Sequence, residues 1–167
     1  MTFLRSFDVA PVRLLGCIVL ACVLSVAARA DDGPPLACDP QKPDEVRLYV
    51  SVSGMHSTNG DVTITIYPDD EEHFLDGKYK LARQHLSIVL PVTEACFALP
   101  GPAYYAVALF HDENGNGHFD TTLLGVPAEG YGFSNDPVLM LGPPRLSEVR
   151  IPVHQGDNRV AVKMKYF

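Results

Sequence analysis

The sequence predicts an all-β protein in which residues 45–167 form a single antiparallel, two-sheet β-sandwich of about seven strands. Apolar residues recur at every second position in short segments, which is the period of a strand with one buried face. Turns rich in Gly, Pro, Asn and Asp separate these segments, and the 3.6-residue period of a helix is almost absent. Together these features favour a sandwich of the immunoglobulin-like or transthyretin-like type over an α/β fold.

The predicted strands cover residues 46–53, 62–67, 86–90, 96–99, 104–110, 149–154 and 160–166. The first two flank the turn signal Asn59-Gly60 and therefore predict a hairpin with a loop longer than two residues. Residues 69–80 predict a connector with one or two helical turns that end near Asp76-Gly77. The segment 104–110 is apolar on both faces, as in a central strand. Pro152 cannot donate a ladder hydrogen bond and indicates an edge strand.

Residues 1–30 predict a cleaved signal peptide. Arg5 and Arg13 precede an almost uncharged apolar run over residues 14–26, which is too short to span a bilayer as a helix. An uncleaved N-terminal membrane anchor is the alternative. Residues 31–44 are rich in Pro, Asp and Gly and predict an extended tail. We therefore expect a protein exported to the periplasm or beyond the cell, with no transmembrane segment in its mature chain.

The charge of the mature chain limits its partners. Removing the leader takes away Arg5, Arg13, Arg29 and Asp8, so the 13 basic and 20 acidic residues of the full chain become 10 and 19, a net charge of −9. Nucleic acids and anionic membranes bind clusters of Lys and Arg, and the sequence has no such cluster. We therefore predict no nucleic-acid partner and expect a protein or an envelope component instead. The acidity also suits divalent cations.

Cys38 and Cys96 are the two cysteines that remain after the leader, and they predict one disulfide in an oxidising compartment. The bond would close a loop of roughly 60 residues and stabilise the fold by about 3 to 4 kcal/mol through loop entropy. The alternative makes Cys38 a lipid-attachment site. Its distance from the apolar run and the nearby Pro35 argue against that interpretation.

The candidate metal site directly follows the central strand. Its oxygen donors are the side chains of Asp112, Asn114, Asn116 and Asp120 and the carbonyl of His118. In a calcium-binding loop these residues hold the first, third, fifth, ninth and seventh positions, and Gly117 at the sixth permits the sharp turn. The twelfth position holds Leu123 instead of the bidentate Glu of a helical calcium hand. The spacing therefore predicts a β-type oxygen loop rather than a complete calcium hand.

Two carboxylates in this loop predict weak calcium binding, at about 10⁻⁴ to 10⁻³ M as in extracellular modules, unless Glu113 or Glu129 also reaches the ion. The alternative is a metal-free loop. In that case the Asp and Asn side chains accept hydrogen bonds from backbone N–H groups, and the glycines supply positive φ. Both interpretations fit the spacing.

A metal-dependent hydrolase is the alternative function, with His111, Asp112, His118, Asp120 and Glu129 around a transition metal. The sequence otherwise lacks a catalytic set, since it has no G-x-S-x-G, no H-E-x-x-H and no glycine-rich phosphate loop. These features favour an exported, non-catalytic module that binds a partner or an envelope component. Calcium is its one candidate cofactor.

The candidate binding loop covers residues 129–135. Tyr131 and Phe133 stand between glycines in this segment, with Glu129 and Asn135 at its ends, and they could form a contact surface. The alternative is that the two aromatic side chains hold a long loop onto the sandwich.

Several segments also match a family pattern. They are Tyr105 to Gly117 (Y-A-V-A-L-F-H-D-E-N-G-N-G), Asp120-Thr121, Leu124-Gly125, Pro127 and Glu129 to Asn135 (E-G-Y-G-F-S-N). The pattern closely resembles the uncharacterised bacterial family known as domain of unknown function 2141, over most of the mature chain. The resemblance implies an exported β-sandwich and, because the family has no established activity, no particular function. The sequence departs from the family at Gly101-Pro102-Ala103-Tyr104, where a shorter turn is usual, so the local register stays open.

Overall fold

The computed structural model describes residues 37–39, 41–139 and 142–167, and these form two β-sheets. The strands are β1 (Val46–Ser53), β2 (Asp61–Pro68), β3 (Ala82–Ser87), β4 (Val92–Leu99), β5 (Ala103–Asp112), β6 (Gly130–Phe133), β7 (Arg150–Val153) and β8 (Asp157–Lys163). A 3-10 turn at Gly77–Tyr79 and a short helix, α1, at Leu146–Val149 complete the described elements. The predicted all-β, two-sheet sandwich is confirmed, with eight strands in place of about seven.

One sheet has three strands in the order β4-β1-β8, and the other has five. The five-stranded sheet has the order β3-β2-β5-β6, with β7 pairing to the first half of β5 and β6 to its second half. Among the described strands, β1 and β8 form the parallel pair and the other pairs are antiparallel. A parallel pair needs a long connection, and almost the whole domain lies between these two strands.

The sandwich core lies between the two sheets. Leu48, Val50 and Val52 of β1 are fully buried, and they pack in one cluster with apolar side chains of β2, β4 and β5. The alternation predicted for the first strand is therefore confirmed, because its intervening residues are only half-buried. β5 is buried on both faces over most of its length, as predicted for a central strand.

The predicted hairpin between the first two strands is wrong. β1 pairs with β4 and β8, whereas β2 pairs with β3 and β5. The chain therefore crosses from one sheet to the other after Ser53, and Asn59-Gly60 lies in this crossing. Alternation shows which face of a strand is buried, but it does not identify the strand that pairs with it.

Three further details differ from the prediction. β3 ends at Ser87 and does not include residues 88–90, and Leu90 is exposed. The helical turn begins after Asp76, whose side chain accepts a hydrogen bond from Lys78 N, instead of ending there. β6 has no counterpart among the predicted strands, because four residues with two glycines make too short a pattern.

The predicted signal peptide and much of the predicted tail lie outside the described residues. The described part of the tail is fastened to β4, since Cys38 is bonded to Cys96 with a Cα–Cα distance of 5.5 Å, a spacing typical of disulfides. Ala37 also forms an isolated bridge with Phe97. Within the described ranges, no helix has the length and hydrophobicity needed to cross a membrane.

Candidate functional site

The outer face of the five-stranded sheet is covered by other parts of the chain, and the candidate site lies there. Thr63, Thr65 and Tyr67 of β2 point away from the sandwich core, yet each is almost fully buried. Phe74 and Leu75 from the β2–β3 connection and Leu146 and Val149 of α1 pack in the same cluster as Tyr67. The segment between β5 and β6 covers the remainder through Phe119, whose ring lies 5.8 Å from that of Phe110.

Asp112, the last residue of β5, anchors the predicted metal loop and is fully buried. Its two carboxylate oxygens accept hydrogen bonds from the backbone N–H groups of Asn116 and Gly117, at 3.0 and 2.7 Å. The side-chain oxygens of Asn114 and Asn116 each accept from the backbone N–H two residues later, at 3.0 and 2.8 Å. These are the contacts of a turn in which side chains satisfy backbone donors.

Asp120 closes the loop from the opposite side. Its Oδ2 accepts hydrogen bonds from the side-chain amides of Asn114 and Asn116, at 2.7 and 2.8 Å. The structure therefore brings together the four side chains predicted at the first, third, fifth and ninth positions. His118 belongs to the same turn, and its side chain lines a neighbouring cavity. Leu123, at the twelfth position, is fully exposed.

Glu129, the residue that precedes β6, contacts the loop through its side chain. Its Oε2 accepts a hydrogen bond from the backbone N–H of Asp120 at 3.1 Å. The residue is 6% exposed, and its Oε1 is buried with no hydrogen-bond partner among the described residues. Burial raises the pKa of the Glu129 carboxyl, and the charges of Asp112 and Asp120 raise it further, although the backbone N–H groups of Asp120 and Glu113 lower it. Such an oxygen is costly, because it has lost water without gaining another donor.

The carboxylates of Asp112 and Asp120 lie near Glu129 at the end of β5, close enough for their charges to raise the pKa of its carboxyl group. Carboxylate and amide oxygens are the ligands that calcium takes in proteins. The Asn114 and Asn116 amides direct their N–H groups at Asp120, so both amides would have to turn before their oxygens could face a cation. The loop satisfies its own backbone by capping, and the group left unsatisfied is Glu129 Oε1.

His111 precedes this loop in sequence but lies apart from it. It is fully buried, with Nδ1 2.7 Å from the hydroxyl of Tyr166 and Nε2 2.8 Å from the carbonyl oxygen of Asn59. A carbonyl can only accept, so Nε2 donates to Asn59, whereas the Tyr166 hydroxyl can donate to or accept from Nδ1. Both ring nitrogens are therefore occupied. The structure does not bring His111 together with His118.

A different group surrounds His111. The ligand atoms of His56, His111 and Glu113 lie within 4.8 Å of one another, with Glu113 Oε1 2.8 Å from His56 Nε2. Ser57 donates a second hydrogen bond to Glu113, at 2.9 Å. The hydrogen bond from His56 lowers the pKa of Glu113, burial opposes it, and the hydrogen bond from Ser57 lowers it further. Sequence reasoning missed this group, because His56 and Glu113 are 57 residues apart and share no motif.

Residues 129–135, the predicted binding loop, form strand β6 and its flanks. Tyr131 is buried and Phe133 is half-buried, and both lie on the outer face of the sheet opposite Phe110 and Ala108. The Asn135 side chain donates hydrogen bonds at 3.2 Å to carbonyls on either side of the α1–β7 junction. The two aromatic rings therefore lie beneath the covering segments.

A cavity of about 590 Å³ remains between the outer face of the sheet and these covering segments. Thr65, Ala108 and Phe110 contribute to its lining from the sheet. Sequence reasoning missed Phe119 and Arg83, which also line it. Arg83 belongs to the polar run Arg83-Gln84-His85, and the same run conceals the strand character of β3.

Comparison with known protein families places most of the chain in one of them. The model of a family described as an uncharacterized protein conserved in bacteria (DUF2141) matches residues 50–161, which include β2 to β7, half of β1 and most of β8. Neither the curated proteins nor the solved structures contain a significant match to the chain. The matched range includes the whole of the predicted metal loop and Glu129.

Proposed function

The chain belongs to this DUF2141 family of uncharacterized bacterial proteins, and because the description assigns no activity, we propose a function from the geometry of the site. The protein is an exported, non-catalytic β-sandwich module. A calcium ion held by Asp112, Asp120 and Glu129 fixes the segment that covers the five-stranded sheet. The module binds a protein or an envelope component, consistent with the predicted leader and the acidic mature chain.

The observation that carries this proposal is the buried, unpartnered Oε1 of Glu129. Two other carboxylates lie close enough to raise the pKa of the same group. Like charges in a buried site repel one another, so the metal-free arrangement is costly. A divalent cation removes both costs, because it supplies a partner for Oε1 and cancels the repulsion.

The loop needs only local changes to accept the ion. Turning the Asn114 and Asn116 amides would exchange N–H donors for carbonyl oxygens beside Asp120. Glu129 then supplies from a distant strand the carboxylate that a helical calcium hand places at its twelfth position. Three carboxylates instead of two lead us to expect tighter binding than the sequence alone predicts.

Thermal unfolding of the purified protein tests the proposal. Calcium should raise the melting temperature relative to a chelator, since a ligand that binds only the folded state contributes about 1.4 kcal/mol at ten times its Kd. Magnesium should do less, because it requires tighter octahedral geometry and dehydrates reluctantly. Glu129→Gln should abolish the calcium response. In chelator this variant should melt at or above the wild-type temperature, because a buried charge has been removed.

Glu94→Gln is the matched control, since Glu94 is exposed on β4 of the other sheet and should leave the calcium response intact. Asp112→Asn combined with Asp120→Asn should also abolish the response. The proposal is contradicted if wild type melts identically in calcium and in chelator, or if Glu129→Gln responds as wild type does.

The second candidate function is a metal-dependent hydrolase, and the group of His56, His111 and Glu113 favours it. Only His111 of the predicted hydrolase set belongs to this group. Both nitrogens of His111 already have hydrogen-bond partners, so a metal would have to displace Asn59 or Tyr166. Metal analysis of protein purified without chelator separates the two functions. Stoichiometric zinc, iron or manganese would favour the hydrolase, whereas calcium would favour the module.

A further inference from the structure

The cavity over the five-stranded sheet has the size of a small-molecule site. Its volume of about 590 Å³ falls within the range of roughly 300 to 1,000 Å³ that is typical of ligand pockets. It lies between two layers, the sheet and the segments that cover it, which come from different parts of the chain. β2, β5 and β6 form one wall, and the β5–β6 segment with residues near Gly142 contributes to the other.

Aromatic side chains make up much of the lining. The Phe119 ring lies 5.8 Å from Phe110 and 6.4 Å from Tyr131, and Phe167 stacks on Tyr131 at 5.6 Å. Phe133 lies 6.2 Å from Tyr131 on the same face. Flat apolar molecules gain from offset or edge-on contact with such rings, beyond the burial of their surface.

The charge of the cavity is opposite to that of the protein. The full chain carries a net charge of −7, yet among the described lining side chains the one that carries a full charge near neutral pH is the basic Arg83. Arg83 Nε donates a hydrogen bond to Thr65 Oγ1 at 3.0 Å, which fixes the guanidinium at the sheet. Arginine presents several donors in a rigid plane that matches a carboxylate or sulfonate.

We propose that this cavity binds a small aromatic acid, with the flat apolar body between Phe110, Phe119 and Tyr131 and the anionic group at Arg83. This inference goes beyond the calcium-fixed module and does not require that calcium be bound. The occupant follows from charge complementarity together with the aromatic lining, since Arg83 would repel a cation and would gain no anionic partner from a purely aliphatic chain.

Two fluorescent probes with the same apolar body test the proposal. 1-Anilinonaphthalene-8-sulfonate carries an anionic group, and N-phenyl-1-naphthylamine lacks it. The sulfonate should bind saturably with one molecule per chain and at least about tenfold more tightly than the neutral probe, as expected for a charge-assisted hydrogen bond. Arg83→Gln should weaken sulfonate binding by about the same factor and leave the neutral probe unchanged.

Arg159→Gln is the matched control, because Arg159 lies on the other sheet beside Tyr49 and should change neither affinity. Ala108→Leu, which narrows the cavity from the side of the sheet, should weaken the binding of both probes. Melting curves establish that each variant is folded. If Arg83→Gln does not fold, the two probes on the wild-type protein decide the question. Equal affinity for both probes, no saturable binding, or folded Arg83→Gln and Ala108→Leu variants that bind as wild type does would overturn the proposal.

Discussion

The outer face of the three-stranded sheet is largely open to solvent, whereas that of the five-stranded sheet lies beneath other segments of the chain. On the first, Tyr49 is half-buried and Arg159 is exposed, with the guanidinium 4.6 Å from the ring centre. On the second, Thr63, Thr65 and Tyr67 are almost fully buried. The two sheets share one core, and their outer faces differ in what covers them.

The comparison indicates which outer face of the sandwich carries the candidate binding sites. The open face carries the side chains of solvated strands. The N-terminal tail is attached to this sheet by the disulfide at Cys96. The covered face contains the buried Glu129 carboxylate and the aromatic cavity, both of which depend on contacts between distant segments. Binding residues commonly lie on loops that a rigid scaffold holds in place. The three-stranded sheet therefore serves as scaffold, and the covered face is where we expect ligands.

The largest expected effect concerns the open face. Cys96→Ala should lower the free energy of unfolding by about 3 to 4 kcal/mol, because the unfolded chain regains the entropy of a loop of roughly 60 residues. Denaturant unfolding of oxidised wild type, reduced wild type and the variant measures the loss. Reduced wild type should resemble the variant, and denatured, non-reduced wild type should show no titratable thiol. Two free thiols per mature chain would contradict the disulfide.

Gly60→Ala should lower the free energy of unfolding by roughly 2 to 4 kcal/mol, because it strains the backbone next to the covered face. Gly60 has a φ of +64°, and a Cβ built on it would collide with the carbonyl oxygen of Asp112. Gly101→Ala is the control, since a Cβ there meets no atom within 4 Å and should change the stability little. Chemical unfolding of both variants measures the contrast, and equal stabilities would show that the backbone of Asp112 moves freely.

Tyr131 and Tyr49 allow the same substitution on each outer face. Tyr131→Ala should cost about 2 to 3 kcal/mol, because a buried ring with aromatic neighbours is removed. Tyr49→Ala should cost about 1 kcal/mol or less, since only a partly exposed ring and its contact with Arg159 are lost. Thermal unfolding compares the two. An unchanged stability for Tyr131→Ala would mean that its ring contributes little to the fold and is free to act as a contact surface.

The smallest expected effect is a coupling between the proposed calcium site and the proposed cavity site. His118 and Phe119 line the cavity and belong to the loop that calcium would fix, so each ligand should strengthen the binding of the other. We expect calcium to tighten binding of the anionic probe by about fivefold. Titrations in calcium and in chelator measure the factor, with Glu129→Gln as the variant that should show none. Equal affinities despite a calcium-dependent melting temperature would mean that the two sites are independent.

Local pattern in the sequence was sufficient for much of this description. The period of two in β1 correctly identified its buried face, and the apolar run of β5 correctly indicated a central strand. The donors from Asp112 to Asp120 converge within nine residues, so backbone turns alone can bring them together. The polar run around Arg83 concealed β3, because the face it occupies is covered by loops rather than by a second sheet.

The sequence by itself therefore determined the class of fold, the core positions of its regular strands and the spacing of a short oxygen-rich loop. Only the tertiary structure decided which strands pair, that Glu129 reaches that loop, and that Arg83 lies in the same cavity as Phe119. The physical reason is the distance along the sequence over which each kind of interaction acts. Side-chain alternation and tight turns follow from the geometry of a few consecutive residues. Contacts between remote segments depend on how whole sheets and their covering loops pack, which no local pattern records.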